Sequence, residues 1–208
     1  AGTEVSVSGG VIQKVNECGT APGTEVTVRN LFYNTPARRK FMRKTKTEEA
    51  HIEEIVTLLA LANPAVGVEL TIDERPVVSV QPDSDLAARA AILLGRHVAA
   101  DMMTVNATEN GITIHGLVAK PGLTRSTRRE QRTFVNPRPV QSDTLFYAIR
   151  DAYPTMVMKG RYPPVLLFVD IDPDQVDVNV HPAKREIRFR DPRMIGRVSG
   201  SAIREALR

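Results

Sequence analysis

Residues 176–189 read Val176-Asp177-Val178-Asn179-Val180-His181-Pro182-Ala183-Lys184-Arg185-Glu186-Ile187-Arg188-Phe189, a period-two strand that breaks at a proline and then resumes. Val176, Val178 and Val180 share one face and Asp177, Asn179 and His181 the other, as expected of a half-buried strand. Pro182 has no N–H to give to a ladder, so the strand must stop or bulge there. Ile187 and Phe189 restore the apolar face. Lys184 is then a cation in a turn held between two anchored segments, and it loses less entropy on gripping an anion than a lysine on a loose tail.

Around this stretch the composition is that of a soluble globular chain: 208 residues, 42% of them hydrophobic, enough for one large domain or two small ones. No run approaches the roughly 18–20 apolar residues of a membrane span, and the start, Ala1-Gly2-Thr3-Glu4-Val5, has neither the basic flank nor the apolar centre of a secretion signal. A cytoplasmic setting without membrane partners follows. Cys18 is the single cysteine and the four histidines are scattered, so neither a disulfide framework nor a metal cluster is expected.

The net charge of +4 conceals a strong segregation. Arg29 to Lys46 holds seven Lys or Arg and no acid, and Lys120 to Arg161 holds nine against three acids, so these blocks carry +13 and the remainder −9. One such block is as readily a solvated face as a binding surface. Two on an otherwise acidic chain favour a polyanion, because clustered cations bind phosphate backbones through counterion release.

Along the chain, Glu4 to Val15 alternates around Gly9-Gly10 and reads as strands, and Val26 and Val28 continue the pattern. Thr35 as N-cap with Pro36 at the first helical position starts a short helix with Ala37 and Phe41 on its inner side. Thr45 to Glu48 is a capping box. Ile52, Ile55, Val56, Leu59 and Ala62 then form a core-facing helical stripe that Asn63-Pro64 ends. Val66 to Ile72 turns through Asp73-Glu74-Arg75-Pro76 into Val77 to Val80. Pro82 to Asp85 is a linker and cap, placing the domain boundary between residues 82 and 83. Beyond it come a helix from Leu86 to Gly95, strands near 102–106 and 111–118 joined at Asn110-Gly111, and an arginine-rich loop. A strand at Thr133 to Val140, a Ser142-capped helix to Ala152, a buried strand at Val165 to Ile171 and a closing helix through Ile195, Val198, Ala202 and Ile203 complete an α/β second domain.

Gly23-Thr24 is an ordinary turn or a place where backbone and hydroxyl approach a ligand. Lys184 alone is a solvated surface lysine unless its clamped setting gives it an anion. Arg38, Arg39, Lys40, Arg43 and Lys44 cannot all share one face of a short helix, so some serve solubility. Arg125, Arg128, Arg129 and Arg132, among Ser and Thr donors, have the better case for DNA phosphates. No recognition helix is evident, and aromatics at 5% argue against single-strand stacking, so sequence-nonspecific, salt-sensitive binding is expected. His181 and Asn179 organise their turn rather than act as acid or base.

The stretch 176–189 resembles the signature of the MutL family of DNA mismatch-repair proteins, whose N-terminal regions are ATPases related to gyrase B and the Hsp90 chaperones. Residues 22–41, Pro22-Gly23-Thr24-Glu25-Val26-Thr27-Val28-Arg29-Asn30-Leu31-Phe32-Tyr33-Asn34-Thr35-Pro36-Ala37-Arg38-Arg39-Lys40-Phe41, resemble its other hallmark. Phe134-Val135-Asn136-Pro137-Arg138 resembles a third motif, with proline where a glycine is usual; proline cannot copy a positive-φ glycine. The resemblance implies an α/β chain of α+β sandwiches. Residues 1–82 would be the rear part of a gyrase B/Hsp90-like ATPase domain, and 83–208 a transducer with a ribosomal-protein-like left-handed βαβ crossover. It implies that Gly23 and Thr24 belong to the nucleotide pocket and that Lys184 reaches the γ-phosphate of ATP. DNA contact falls to Arg125, Arg128, Arg129, Arg132 and Arg138.

The implied cofactor is ATP with Mg2+. The implied partners are DNA, a MutS-type mismatch sensor, a second copy of the chain and a downstream nuclease or helicase, in a nucleoid-associated setting. The family's upstream Glu and Asn motifs are not among these residues. The chain is therefore expected to be a fragment, without hydrolytic activity or stable nucleotide binding on its own. The alternative from the residues themselves is a non-enzymatic nucleic-acid-binding module in which Lys184 is only a surface cation.

Overall fold

Gly9 and Gly10, at φ 59° and 88°, turn β1 (Gly2–Ser8) back onto β2 (Val11–Cys18) as an antiparallel hairpin. The computed structural model describes residues 1–153, 156–178 and 186–208. They form two compact units, Ala1–Glu48 and Glu49–Arg208. In the first unit the hairpin is followed by a short helix, α1 (Pro36–Lys40), with Pro36 in its first turn and Thr35 at the cap position. The Thr35 side chain makes no capping bond. Two expectations fail here. Val26 and Val28 lie outside any strand and are exposed, and α1 has no buried inner side, with Phe41 85% exposed.

Helix α2 (Thr45–Ala62) runs to Asn63 as its spacing predicts, but its start and its faces differ from expectation. Glu48 Oε1 accepts from the backbone N–H of Arg43 at 2.8 Å, upstream of the cap that the capping box required. Of the expected stripe, Ile52, Ile55 and Leu59 are 48%, 43% and 50% exposed and Val56 is half-buried, while Ala62 is buried as expected, together with Thr57, Ala60 and Leu61. Leu61 and Ala62, with Leu58 beside them, are the residues of α2 that pack into a core.

The hairpin β3 (Val68–Ile72) and β4 (Arg75–Val80) turns on Asp73 and Glu74, both at positive φ. Helix α3 (Leu86–Leu94) follows, capped by Asp85 accepting from Ala88 N at 2.8 Å and ended by Gly95 at φ 95°. A further short helix, α4 (Arg96–Ala100), leads into β5 (Met102–Glu109) and β6 (Ile112–Ala119) around Asn110-Gly111, both at positive φ.

The segment expected to be one strand, 133–140, is two: β7 (Gln131–Val135) and β8 (Arg138–Val140), an antiparallel pair joined by Asn136-Pro137. Helix α5 (Asp143–Ala152) is capped by Ser142 and leads to β9 (Val165–Asp170). β10 (Val176–Asp177) pairs with β11 (Arg188–Phe189), and α6 (Pro192–Ala206) closes the chain. The alternating strand read through 176–181 is thus described only over Val176–Asp177. Asn179, His181 and Lys184 lie outside the described residues.

The main sheet has the order β5-β6-β9-β7-β8, antiparallel except for the β7–β9 pair. β9 is covered on both faces. Val165, Leu167 and Val169 belong to a core with Leu145, Ile149, Ile195, Val198 and Ile203 of α5 and α6. Leu166 and Phe168 belong to a second core with Leu61 and Ala62 of α2 and Ala90 of α3. A strand buried on both sides must read as a continuous apolar run, and Val165 to Val169 does.

Arg89 ties the second core together. Its side chain is fully buried, and its guanidinium donates to the carbonyls of Ala60, Pro64, Val66 and Gln81 and to Ser84 Oγ. Burial pushes its pKa below the usual value and Asp83 pushes back. No described helix is long and apolar enough to cross a membrane.

Candidate nucleotide and nucleic-acid sites

Gly23 lies at φ 137°, a conformation that side chains strain to adopt, and a Cβ there would meet nothing within 4 Å. The backbone at this point is therefore open to an incoming group, and the exposed Thr24 follows with its hydroxyl. No strand follows as the spacing had suggested. Among the described residues no three of His, Cys, Asp and Glu gather in a metal-holding group, so no magnesium ligand is assigned to them. The segment carrying Lys184 departs from and returns to a paired base, with Val176 opposite Phe189 and Asp177 opposite Arg188.

The five arginines divide by environment. Arg132 on β7 makes a bidentate pair with Glu54 of α2, Nε to Oε1 at 3.2 Å and Nη2 to Oε2 at 2.9 Å, and its side chain is only 12% exposed. Arg125 pairs with Glu130 at 2.8 Å, while its backbone bridges to Tyr162. These two guanidiniums are already committed to carboxylates. Arg128 lies over the Phe146 ring, 3.5 Å from its centre, and remains exposed. Arg129 and Arg138 are also exposed. The charge count over residues 120–161 found the cluster but could not tell paired from open members. Phe146, Tyr147 and Tyr162, which gather beside Arg128, were missed. The available signal was Tyr147 and Arg150 three apart on one helix, which places them side by side.

Arg138 begins β8 at the foot of the Asn136-Pro137 turn, and this turn is firmly seated. Asn136 Nδ2 donates to Ile171 O at 2.7 Å, its Oδ1 accepts from Ile171 N at 2.9 Å, and its backbone N–H donates to Val169 O at 3.1 Å. Asn136 and Pro137 stand at φ 44° and 34°, the pattern of a two-residue type I′ hairpin that favours Asn-Gly. A glycine is the usual second residue of such a turn, and in this chain a proline stands there instead.

A family profile described as "DNA mismatch repair protein, C-terminal domain" matches residues 90–208. The chain is 46% identical over 190 residues to the DNA mismatch repair protein MutL of Opitutus terrae, covering 91% of this chain and 30% of that protein. It is 42% identical over 207 residues to MutL of Geobacter sulfurreducens, covering 100% of this chain and 34% of the relative. The chain thus spans about a third of the length of these curated relatives. Among solved structures, the fold matches the N-terminal domain of a DNA repair protein with a TM-score of 0.78 at 22% identity, covering 94% of this chain and 64% of the other. It matches the Aquifex aeolicus MutL ATPase domain complexed with ADP with a TM-score of 0.67 at 25% identity, covering 95% of this chain and 66% of the other. With its α/β architecture, and with sequence similarity over its whole length, the chain belongs to the MutL family of DNA mismatch repair proteins.

Proposed function

We propose that the whole protein is a MutL-type matchmaker that binds and hydrolyses ATP with Mg2+ and couples mismatch recognition to downstream repair enzymes. The similarity of this whole chain to a MutL protein, 207 residues at 42% identity, carries this reading. The Aquifex aeolicus MutL ATPase domain, alike in fold, is complexed with ADP, and this supports the nucleotide part. Residues 1–82 then belong to the ATPase domain and 83–208 to the transducer. Its partners are DNA, a MutS-type mismatch sensor, a second copy of the protein and a downstream nuclease or helicase, in the cytoplasm at the nucleoid.

Within this chain, Gly23 lets the backbone approach the nucleotide and Thr24 offers it a hydroxyl. Lys184 is the cation that meets the γ-phosphate, where it stabilises charge developing during hydrolysis and links the second domain to nucleotide state. DNA phosphates fall to the open guanidiniums of Arg128, Arg129 and Arg138, with Arg125 and Arg132 shaping the same surface through their carboxylate pairs. Lys184→Ala in the full-length protein is expected to slow ATP hydrolysis by about a hundredfold, the scale of losing one preorganised charge-stabilising group. The nucleotide dissociation constant should change only a fewfold. Single-turnover hydrolysis and nucleotide titration measure the two separately, and equal losses in both would refute the role.

A further inference from the structure

The carboxylate of Glu130 is answered on one side only. Arg125 Nε donates to its Oε1 at 2.8 Å, while Oε2, shielded from solvent, meets no donor among the described residues. A buried acceptor without a donor is costly to keep, and folded chains keep few of them. Glu130 lines a cavity of about 120 Å³. Its apolar wall is built by Leu93 and Leu94 of α3, Val98 of α4, Met102 of β5, and Pro164. Leu93, Leu94 and Met102 also pack against the second core, so three parts of this wall are fixed from behind. Arg132 closes the lining, and its guanidinium is already bidentate on Glu54. The group in this wall that still lacks a partner is therefore Glu130 Oε2.

Size and chemistry together narrow the occupant. The cavity is smaller than the roughly 300–1,000 Å³ of clefts that enclose whole small ligands, so a nucleotide or a drug-sized molecule does not fit. A carboxylate oxygen repels an anion. A metal ion needs several ligands, and among the described residues no three of His, Cys, Asp and Glu gather. Water needs two to four polar partners at each position, and most of this wall is aliphatic. What fits is an apolar stem that ends in a charged donor. A primary alkylammonium with a stem like that of lysine lays its methylenes along the aliphatic wall and donates its N–H groups to Oε2, a charge-assisted bond.

We propose that this cavity is a binding site for one primary alkylammonium group, carried by a free polyamine or by a lysine side chain of another protein. The test uses the full-length protein with isotope-labelled methionine methyl groups, and the Met102 signal is identified by its loss in Met102→Leu, a swap that conserves volume. Titration with n-butylammonium is expected to shift the Met102 signal saturably in the millimolar range. Butanol, the same stem without the charge, should not shift it at the same concentrations. Glu130→Gln is expected to weaken butylammonium binding about tenfold, the scale of one charge-assisted hydrogen bond. Spermidine and Nα-acetyl-lysine methylamide separate the sources: tighter binding of the first identifies a free polyamine, and tighter binding of the second a protein side chain. An absent butylammonium shift, an equal shift with butanol, or an unchanged affinity in Glu130→Gln each overturns the proposal. The comparison with butanol needs no variant and decides the matter even if Glu130→Gln does not fold. None of these outcomes touches the nucleotide and DNA readings, on which the proposal does not rest.

Discussion

Gly116→Ala is expected to cost the unit that holds the main sheet about 4 kcal/mol of stability and to lower its urea midpoint sharply. Gly116 lies within β6, opposite Val105 on one side and Leu167 on the other, at φ 142°. A Cβ there would stand 2.0 Å from the carbonyl oxygen of Leu166 and 3.0 Å from its carbonyl carbon. Both are backbone atoms of β9 and cannot rotate aside. β9 itself cannot retreat, because it is packed on both faces and paired on both edges. Overpacking typically costs about 1–3 kcal/mol and a strained φ about as much again. Their sum, about 4 kcal/mol, is a large part of the roughly 5–15 kcal/mol that holds a domain together. Urea unfolding followed by circular dichroism reads the result directly. A variant whose midpoint stays near that of the parent would mean that β6 and β9 do not approach as described.

Arg89→Leu should be nearly as damaging, for the opposite reason. Leucine fits an apolar interior, but the buried carbonyl of Ala60 and the partly buried carbonyls of Pro64, Val66 and Gln81 would be left without their donor. A buried acceptor left unpaired costs about 1–3 kcal/mol. Partial relaxation makes these penalties less than additive, so a loss of about 3–5 kcal/mol is expected from four acceptors that lose their donor together. The damage has a location as well as a size. Ala60 O is one of the orphan carbonyls at the end of α2, so amide exchange should accelerate first through residues 59–66. Arg89→Lys tests whether charge or shape matters. One ammonium cannot span acceptors in four backbone segments, and near-complete rescue by lysine would contradict the clamp.

Much of this architecture was legible where local chemistry and tertiary environment agree. Gly9-Gly10 and Asn110-Gly111 mark hairpins because their residues supply the positive φ that tight turns need. The run at Val165–Val169 announces a strand covered on both faces. Asp85 and Ser142 cap the helices they were expected to cap.

Failures arise where a local pattern lacks information about what faces it. Val26 and Val28 alternate as strand residues do but find no ladder. The stripe of Ile52, Ile55, Val56, Leu59 and Ala62 has helical spacing, yet of these only Ala62 belongs to the second core, beside Leu61. Proline at position 137 hid an Asn-Gly hairpin signature and merged two strands into one. Arg89 sits in an alanine-rich helix and gives no hint of burial. Among the candidate site residues, Arg132 counted as an open cation because Glu54, its partner, is 78 positions away in the chain.

The strand order β5-β6-β9-β7-β8 has a consequence for how the chain comes off the ribosome. β5–β6 and β7–β8 are local hairpins that can zip as soon as their turns emerge. Each then presents one unpaired inner edge, β6 on one side and β7 on the other, and among the described strands both edges are completed by β9. Those edges stay open until residues 165–170 are synthesised, so the last-made strand of the sheet is the one that turns two separate hairpins into a single body. Until then the nascent chain carries two adhesive borders of the kind that recruit wrong partners.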